Sequence, residues 1–212
     1  MEKDFYKTYF KVEKNHWWFR VRRNIIISTI SNISNIRTIH DFGCGSGYLV
    51  GELQKLGYDA SGSDTSSEAI EFGSKNGIKN LYLAQPGEIP QNGLFDAILA
   101  LDVIEHIKDD IEAIRGLERA LKPGGTLIIT VPAYQWMWGV QDEVTYHFRR
   151  YNMKSLPSLF PKDSSFSVVK KSYFNTFLFP PIAAVRLLSK FFDLKKRESD
   201  FDINNKLANS AF

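Results

Sequence analysis

The sequence predicts an α/β protein, a doubly wound, mostly parallel sheet with helices on both faces, and three observations predict it. Strand-like apolar runs alternate with stretches of helical period from Thr38 to Val131. The first run, Thr38 to Asp41, opens into a loop with Gly43, Gly45 and Gly47, followed at once by the helical series Leu49, Val50, Leu53 and Leu56. The last, Thr126 to Val131, is a continuous apolar, β-branched run, as expected for a central strand covered on both faces.

Global properties agree with a single domain. A chain of 212 residues is long enough for one buried core. With 43% hydrophobic and 24% charged residues it is neither disordered nor fibrous. A net charge of +3 is too small to point to nucleic acid, and the basic clusters Arg20/Arg22/Arg23, Arg149/Arg150 and Lys195 to Arg197 are expected on solvated faces. Cys44 is the single cysteine, which excludes an intramolecular disulfide. The chain begins without a basic segment leading into an apolar signal core, so a cytoplasmic protein is expected.

In chain order, residues 1–36 form an aromatic and helical cap. Phe5, Tyr6, Tyr9, Phe10, His16, Trp17, Trp18 and Phe19 lead into apolar positions at Val21, Ile25, Ile26, Ile30 and Ile33, an amphipathic helix that must dock on the main domain. Trp17, Trp18 and Arg22 are placed to wall a ligand. Residues 37–132 form the core. After the glycine loop and its helix, a strand from Tyr58 to Ser63 ends at Asp64, where a carboxylate faces the ribose of a nucleoside held by such a loop. Thr65 to Glu68 reads as a capping box that starts the next helix. A strand from Asn80 to Ala84 leads into Gln85, Pro86 and Gly87, and another from Phe95 to Leu101 leads into Asp102, Glu105 and His106. Ile107, Ile111, Ile114, Leu117 and Leu121 mark an amphipathic helix closed by the turn Lys122 to Gly125.

Residues 133–212 form the substrate side. Pro132 to Tyr151 is polar and aromatic without a clear period, and loops of this kind at a sheet's carboxyl edge form binding surface. Tyr134, Trp138 and Arg150 are its substrate candidates. A short helix around Leu156 to Phe160 and a strand from Phe166 to Lys171 follow. The apolar tail, Tyr173 to Val185 and on to Phe192, is broken by Pro180 and Pro181 and is too short to span a bilayer. It can touch a membrane surface through 173–192 or cover an apolar substrate.

The glycine register is DxGxGxG, with the third glycine one position early for a dinucleotide fingerprint, which disfavours an NAD-dependent oxidoreductase. Together with Asp64, the block FDAILALDVIEHI at 95–107 and LKPGGTLIITVP at 121–132, this chain resembles the class I S-adenosyl-L-methionine (SAM)-dependent methyltransferases. It is most similar to the small-molecule branch that includes the ubiquinone-type O-methyltransferases. The resemblance implies a Rossmann-like methyltransferase sheet with SAM as cofactor. It places the methionine end over Gly43, Cys44, Gly45 and Gly47, with Asp41 facing the amino group. It also places the ribose on Asp64 beside Thr65, the adenine against Gln85 and Pro86, and Asp102 at the rim. Two features depart from the family pattern. Gln85-Pro86 stands where an acidic residue and alanine are common, and nothing after Phe192 resembles the closing antiparallel strand, which either lies beyond the sequence or is absent.

The expected reaction moves a methyl group to a small-molecule, lipid or sugar-lipid acceptor, on oxygen. Such a transfer needs little beyond positioning and a base. His147, in the aromatic loop, and His106 are the candidates, because imidazole titrates near neutral pH. Asp102, Glu105 and His106 are spaced to share a helical face, but so loose an oxygen-poor set is not expected to hold a metal. The alternative is a non-catalytic SAM-binding or protein-interaction domain of the same fold.

Overall fold

The computed structural model describes residues 13–85, 88–89, 94–177 and 179–192. The aromatics before Glu13, the Pro86-Gly87 pair and the stretch after Phe192 lie outside the described residues.

Helix α1, Trp17–Ser31, buries Phe19, Ile26 and Ile30, a single face at helical spacing. Then come β1 (Thr38–Phe42), α2 (Tyr48–Lys55), β2 (Asp59–Asp64), α3 (Ser67–Lys75), β3 (Leu81–Leu83), β4 (Phe95–Leu101), α4 (Asp110–Ala120) and β5 (Leu121–Thr130). The strands pair in parallel in the order β3-β2-β1-β4-β5. The chain therefore winds outward from β1 in one direction and then restarts at β4 on its other side. That reversal opens a crevice at the carboxyl ends of β1 and β4.

Alternation along β4 builds the two cores. Phe95, Ile98 and Ala100 pack with Ile114 and Leu117 of α4, whereas Ala97, Leu99 and Leu101 pack with Ile26 and Ile30 of α1 and Val50 and Leu53 of α2. Each fully buried Leu or Ile contributes about 1.5–3 kcal/mol relative to exposure, so α1 belongs to the sheet's own core. His40 of β1 is a satisfied core histidine. Its ring nitrogens lie 2.9 Å from the hydroxyls of Ser61 and Ser63, and burial pushes its pKa down to about 4.

Four sequence expectations need correction. The Thr126–Val131 run is not a central strand, because β5 lies at the sheet edge and these residues are only half-buried. Leu127, Ile129 and Val131 pack on one core and Ile128 on the other, so both faces are partly covered even at the edge. The segment Phe166 to Lys171 is not a strand. It pairs with no strand among the described residues, and Val169 is 95% exposed, while Phe166 packs on Phe160 and on the core under α4. The cap of α3 is Ser66, whose hydroxyl accepts from Ala69 N at 3.2 Å, so Thr65 lies outside the helix and is exposed. Pro180 and Pro181 do not interrupt the tail but occupy the first turn of helix α6, Phe179–Phe192, where a missing N–H costs nothing. Before it, α5 spans Val140–Val144. Among the described residues no helix is long and apolar enough to cross a membrane.

Candidate functional site

The glycine loop turns at the end of β1 because three residues adopt positive φ: Gly43 at 76°, Gly45 at 56° and Gly47 at 73°. Two of these positions are closed by packing. A Cβ at Gly43 would lie 2.3 Å from Val103 Cγ2, and one at Gly47 would lie 2.6 Å from Leu81 Cδ2. Gly45 differs, since a Cβ there would meet nothing within 4 Å. Open space above a left-handed glycine is where a ligand can touch backbone. Gly47 is the N-cap of α2, so the loop also presents a helix N-terminus.

Carboxylates surround this loop. Asp41 is 4% exposed, and no donor among the described residues reaches its carboxyl group. Burial pushes its pKa up to about 7, with Glu13 and Asp64 adding to the rise and Arg22 opposing it. Asp64 accepts from Gly45 N at 2.8 Å and Ser66 N at 2.9 Å, which ties the end of β2 to the loop and leaves further lone pairs for a ligand. Glu13 accepts from Ser46 Oγ at 2.8 Å. At the end of β4, Asp102 has φ 56°, accepts from Thr130 Oγ1 at 3.0 Å and forms an ion pair with Arg22. A small cleft lies between α1 and the first turn of α2, lined by Glu13, Phe19, Arg22, Arg23, Tyr48 and Leu101.

The other cofactor candidates lie behind the loop or at its rim. The Cys44 side chain packs inward with Val50 and Ala60, and burial pushes its thiol well above its ordinary range, so only its backbone faces the loop. Thr65 and Gln85 are exposed at the rim, and Pro86 lies outside the described residues.

A second cluster is built by the loop after β5. Asp142, fully buried in α5, accepts from Gly139 N at 2.8 Å, His147 Nδ1 at 2.8 Å, Arg150 Nε at 2.7 Å and Arg150 Nη2 at 2.9 Å. Burial works against its charge, yet the bonds from His147, Arg150 and Gly139 hold its carboxyl well below the usual carboxylate range. Arg150, expected to contact substrate, is instead committed to Asp142 and the Ala133 carbonyl. Phe148 N donates to Glu105 O at 2.8 Å, which docks the loop against the segment after β4.

The two candidate histidines meet there. Their ring centroids are 4.5 Å apart, edge to face, and burial, helped by His147, lowers the pKa of His106. His106 ends a 3-10 turn, Ile104–His106, rather than starting a helix. His147 Nε2 lies 4.0 Å from Oε1 of Glu105, a fully buried residue whose two carboxyl oxygens find no hydrogen-bond partner among the described residues. Burial pushes the Glu105 pKa up to about 9, with Asp102 adding and Arg22 and Arg150 opposing. The trio Asp102, Glu105 and His106 is not assembled, because Asp102 is turned toward Arg22 and Thr130. Glu105, His106 and His147 instead bring one ligand atom each to within 4.8 Å of one another, a set that could hold a divalent ion.

The remaining substrate candidates divide. Trp17 is half-buried at the start of α1, with its ring centroid 5.9 Å from that of Trp18, which stacks on Phe174. Tyr134 stacks on Tyr173 at 5.2 Å and lies 5.5 Å from Phe179 of α6. Trp138 is half-buried beside Gly139, over which the Arg186 guanidinium of α6 lies. Helix α6 thus covers the histidine loop. Sequence reasoning missed Asp142 and Glu13. Neither sits in a periodic segment, and only the shared loop with His147 hinted at the first.

A family model described as a methyltransferase domain matches residues 14–171. The ubiquinone biosynthesis O-methyltransferase of Rickettsia canadensis is 32% identical over 110 residues, covering 50% of this chain and 46% of that protein. Its counterpart from Xanthomonas oryzae pv. oryzae is 32% identical over 97 residues, covering 42% and 41%. The chain thus spans a little under half the length of these curated relatives. Among solved structures, the complex between the Haloferax volcanii Trm112 methyltransferase activator and the putative methyltransferase matches with a TM-score of 0.58 at 17% identity, covering 74% of this chain and 71% of that one. Streptomyces venezuelae DesVI matches with a TM-score of 0.52 at 16% identity, covering 61% and 57%. At such identities the structural matches speak for the fold.

Proposed function

Because this chain belongs to the methyltransferase domain family of SAM-dependent enzymes, we propose that it transfers the SAM methyl group to a hydroxyl of a small-molecule or lipid-like acceptor. The bound cofactor supplies an electrophilic methyl group on a sulfonium, a good leaving group. The chain must then hold both reactants in line, exclude water and take up one proton.

The open space over Gly45 and the unpartnered Asp41 carboxyl suit an amino-acid end that brings its own ammonium donor. Asp64 holds the ribose through lone pairs left by Gly45 and Ser66. Thr65 and Gln85 at the rim face the nucleoside, and Asp102, fixed by Arg22 and Thr130, closes the edge nearest the acceptor.

The observation that carries the oxygen reading is the buried Asp142–His147 pair. With Nδ1–H donated to Asp142, His147 keeps an Nε2 lone pair that no donor among the described residues occupies. It accepts the acceptor's hydroxyl proton there as the oxygen attacks the methyl carbon, and Asp142 stabilises the imidazolium formed. His106 packs on the ring and limits its rotation. A lipid-like acceptor is supported by the apolar surface of α6 and the segment before it, where Phe177, Phe179, Ile182 and Leu187 are exposed beside Tyr134 and Trp136. The same surface fits peripheral contact with a membrane.

The test is calorimetry with SAM, followed by detection of S-adenosylhomocysteine with hydroxyl-bearing acceptors of graded apolar length. Binding followed by turnover of apolar-tailed acceptors is expected. No binding at millimolar SAM would refute the cofactor reading, whereas binding without product from any acceptor would favour a non-catalytic SAM-binding domain.

A further inference from the structure

The aromatic walls at the start of α1 and in the loop after β5 come from distant parts of the chain, and two consecutive residues join them. Trp18 stacks on Phe174, with ring centroids 5.3 Å apart and planes 6° apart, while the neighbouring Tyr173 stacks on Tyr134 at 5.2 Å. Tyr134 in turn lies 5.5 Å from Phe179 of α6. A belt of rings thus runs from α1 to α6.

Both ends of the belt are fixed beside the crevice. Trp18 stands one helical turn before Arg22, which pairs with Asp102 at the carboxyl end of β4. Tyr134 follows β5, donates its N–H to Tyr151 O at 2.7 Å and holds φ at 61°, an uncommon conformation for a bulky residue and one that aims its ring. Tyr151 adjoins Arg150, which grips the Asp142 that holds His147. The joining segment is otherwise open: residues 167–172 are exposed, Tyr173 and Phe174 are half-buried, and Asn175 at φ 62° turns the chain toward α6. The Tyr173 hydroxyl accepts from Met153 N at 3.2 Å, so its ring offers carbon rather than a polar group.

We infer that Tyr173 and Phe174 are specificity-determining residues of the acceptor site, completing with Trp18 and Tyr134 a belt of rings against which the acceptor packs an apolar body next to its hydroxyl. This rests on the methyltransferase reading above and deepens it. An acceptor that brings its hydroxyl to His147 and faces a cofactor over Gly45 lies between the belt's two anchored ends. Rings there favour apolar surface and exclude water. An acceptor with charge or many hydroxyls beside the reacting oxygen leaves those groups without partners against ring carbon.

The experiment titrates the full chain with pyrenebutanol, an apolar alcohol whose pyrene takes up energy from excited tryptophan, and measures S-adenosylhomocysteine affinity by calorimetry alongside. Saturable energy transfer, displaced by decanol, is expected in the wild type. Phe174→Ala and Tyr173→Ala should each weaken the probe about two- to tenfold, the range for one lost aromatic contact, and leave S-adenosylhomocysteine unchanged. Tyr173→Phe, which keeps the ring, and Val169→Ser, at an exposed position on the same segment, should bind the probe as the wild type does. No saturable binding, or wild-type affinity in both alanine variants, overturns the proposal. Parallel weakening of probe and S-adenosylhomocysteine overturns it too, since a purely structural fastening of α1 would loosen both. Probe binding with the expected variant pattern in a chain that takes up no S-adenosylhomocysteine would instead sink the methyltransferase reading and leave the belt standing.

Discussion

Replacing Asp142 with Asn separates the histidine loop's structural role from its chemical one. The side chain keeps its shape and its bond from Gly139 but loses the charge that faces Arg150 and His147. Arg150, whose side chain is 12% exposed, is then a nearly buried cation without a counter-ion. Breaking such a pair costs about 3–5 kcal/mol, and the residual exposure favours the lower end, about 3 kcal/mol. At 2–4 °C per kcal/mol for a chain of this size, Tm should fall by roughly 6–12 °C. Because the Asp142 carboxyl is held below its ordinary range, its stabilisation is complete above about pH 4 and is lost as the pH falls. The two melting curves should therefore converge in acid. Turnover should fall by about a hundredfold or more, since His147 loses both its fixed tautomer and its partner for the imidazolium. Circular dichroism gives Tm, and S-adenosylhomocysteine formation at saturating SAM gives the rate. Adding Arg150→Met should restore part of the stability and none of the rate. A single variant with turnover within about threefold of wild type would refute the base assignment, and an unchanged Tm would refute the ion-pair argument.

Three further outcomes follow from the cradle and the histidines. Asp41 has a folded-state pKa raised to about 7, so the folded chain binds more protons than the unfolded one between about pH 4 and 7, and stability declines as the pH rises through that window. Asp41→Asn should remove that decline, melting higher than wild type at pH 8 while binding SAM more weakly; a lower melting temperature at pH 8 would contradict it. Gly45→Ala should cost only about 1 kcal/mol for its positive φ, since no atom obstructs the new methyl group, yet weaken SAM at least about tenfold by filling the approach. Unchanged affinity would place the ligand elsewhere. Dialysis against a chelator should leave turnover intact if His147 acts as a base. A loss restored by Mg²⁺ or Mn²⁺ would reassign Glu105, His106 and His147 as metal ligands.

Much of the cradle was legible because its signals are local. Three glycines after a strand need only neighbouring residues to define a turn, and β1, α2, β2 and β4 declare themselves by period alone. Asp64 and Asp102 follow as the residues that end their strands. The histidine loop was legible only in kind: polar aromatic composition marked it as surface, but nothing in its spacing paired Asp142 with His147 or committed Arg150 to that pair. The run Phe166 to Lys171 has strand-like composition and still forms no strand, since a strand exists only where a neighbour offers its edge.

The sequence by itself determined the α/β class, the strand–loop–helix unit at Gly43 to Gly47 and the identity of the carboxylates at the strand ends, because these depend on short-range period and backbone conformation. Tertiary structure alone decided that β5 lies at the edge, that α1 shares the core of the sheet, that Arg22 holds Asp102, and that Glu13 reaches the glycine loop at Ser46. Each of these joins residues distant in the chain, where the free energy comes from burial and charge pairing across space and leaves no periodic trace in the order of residues.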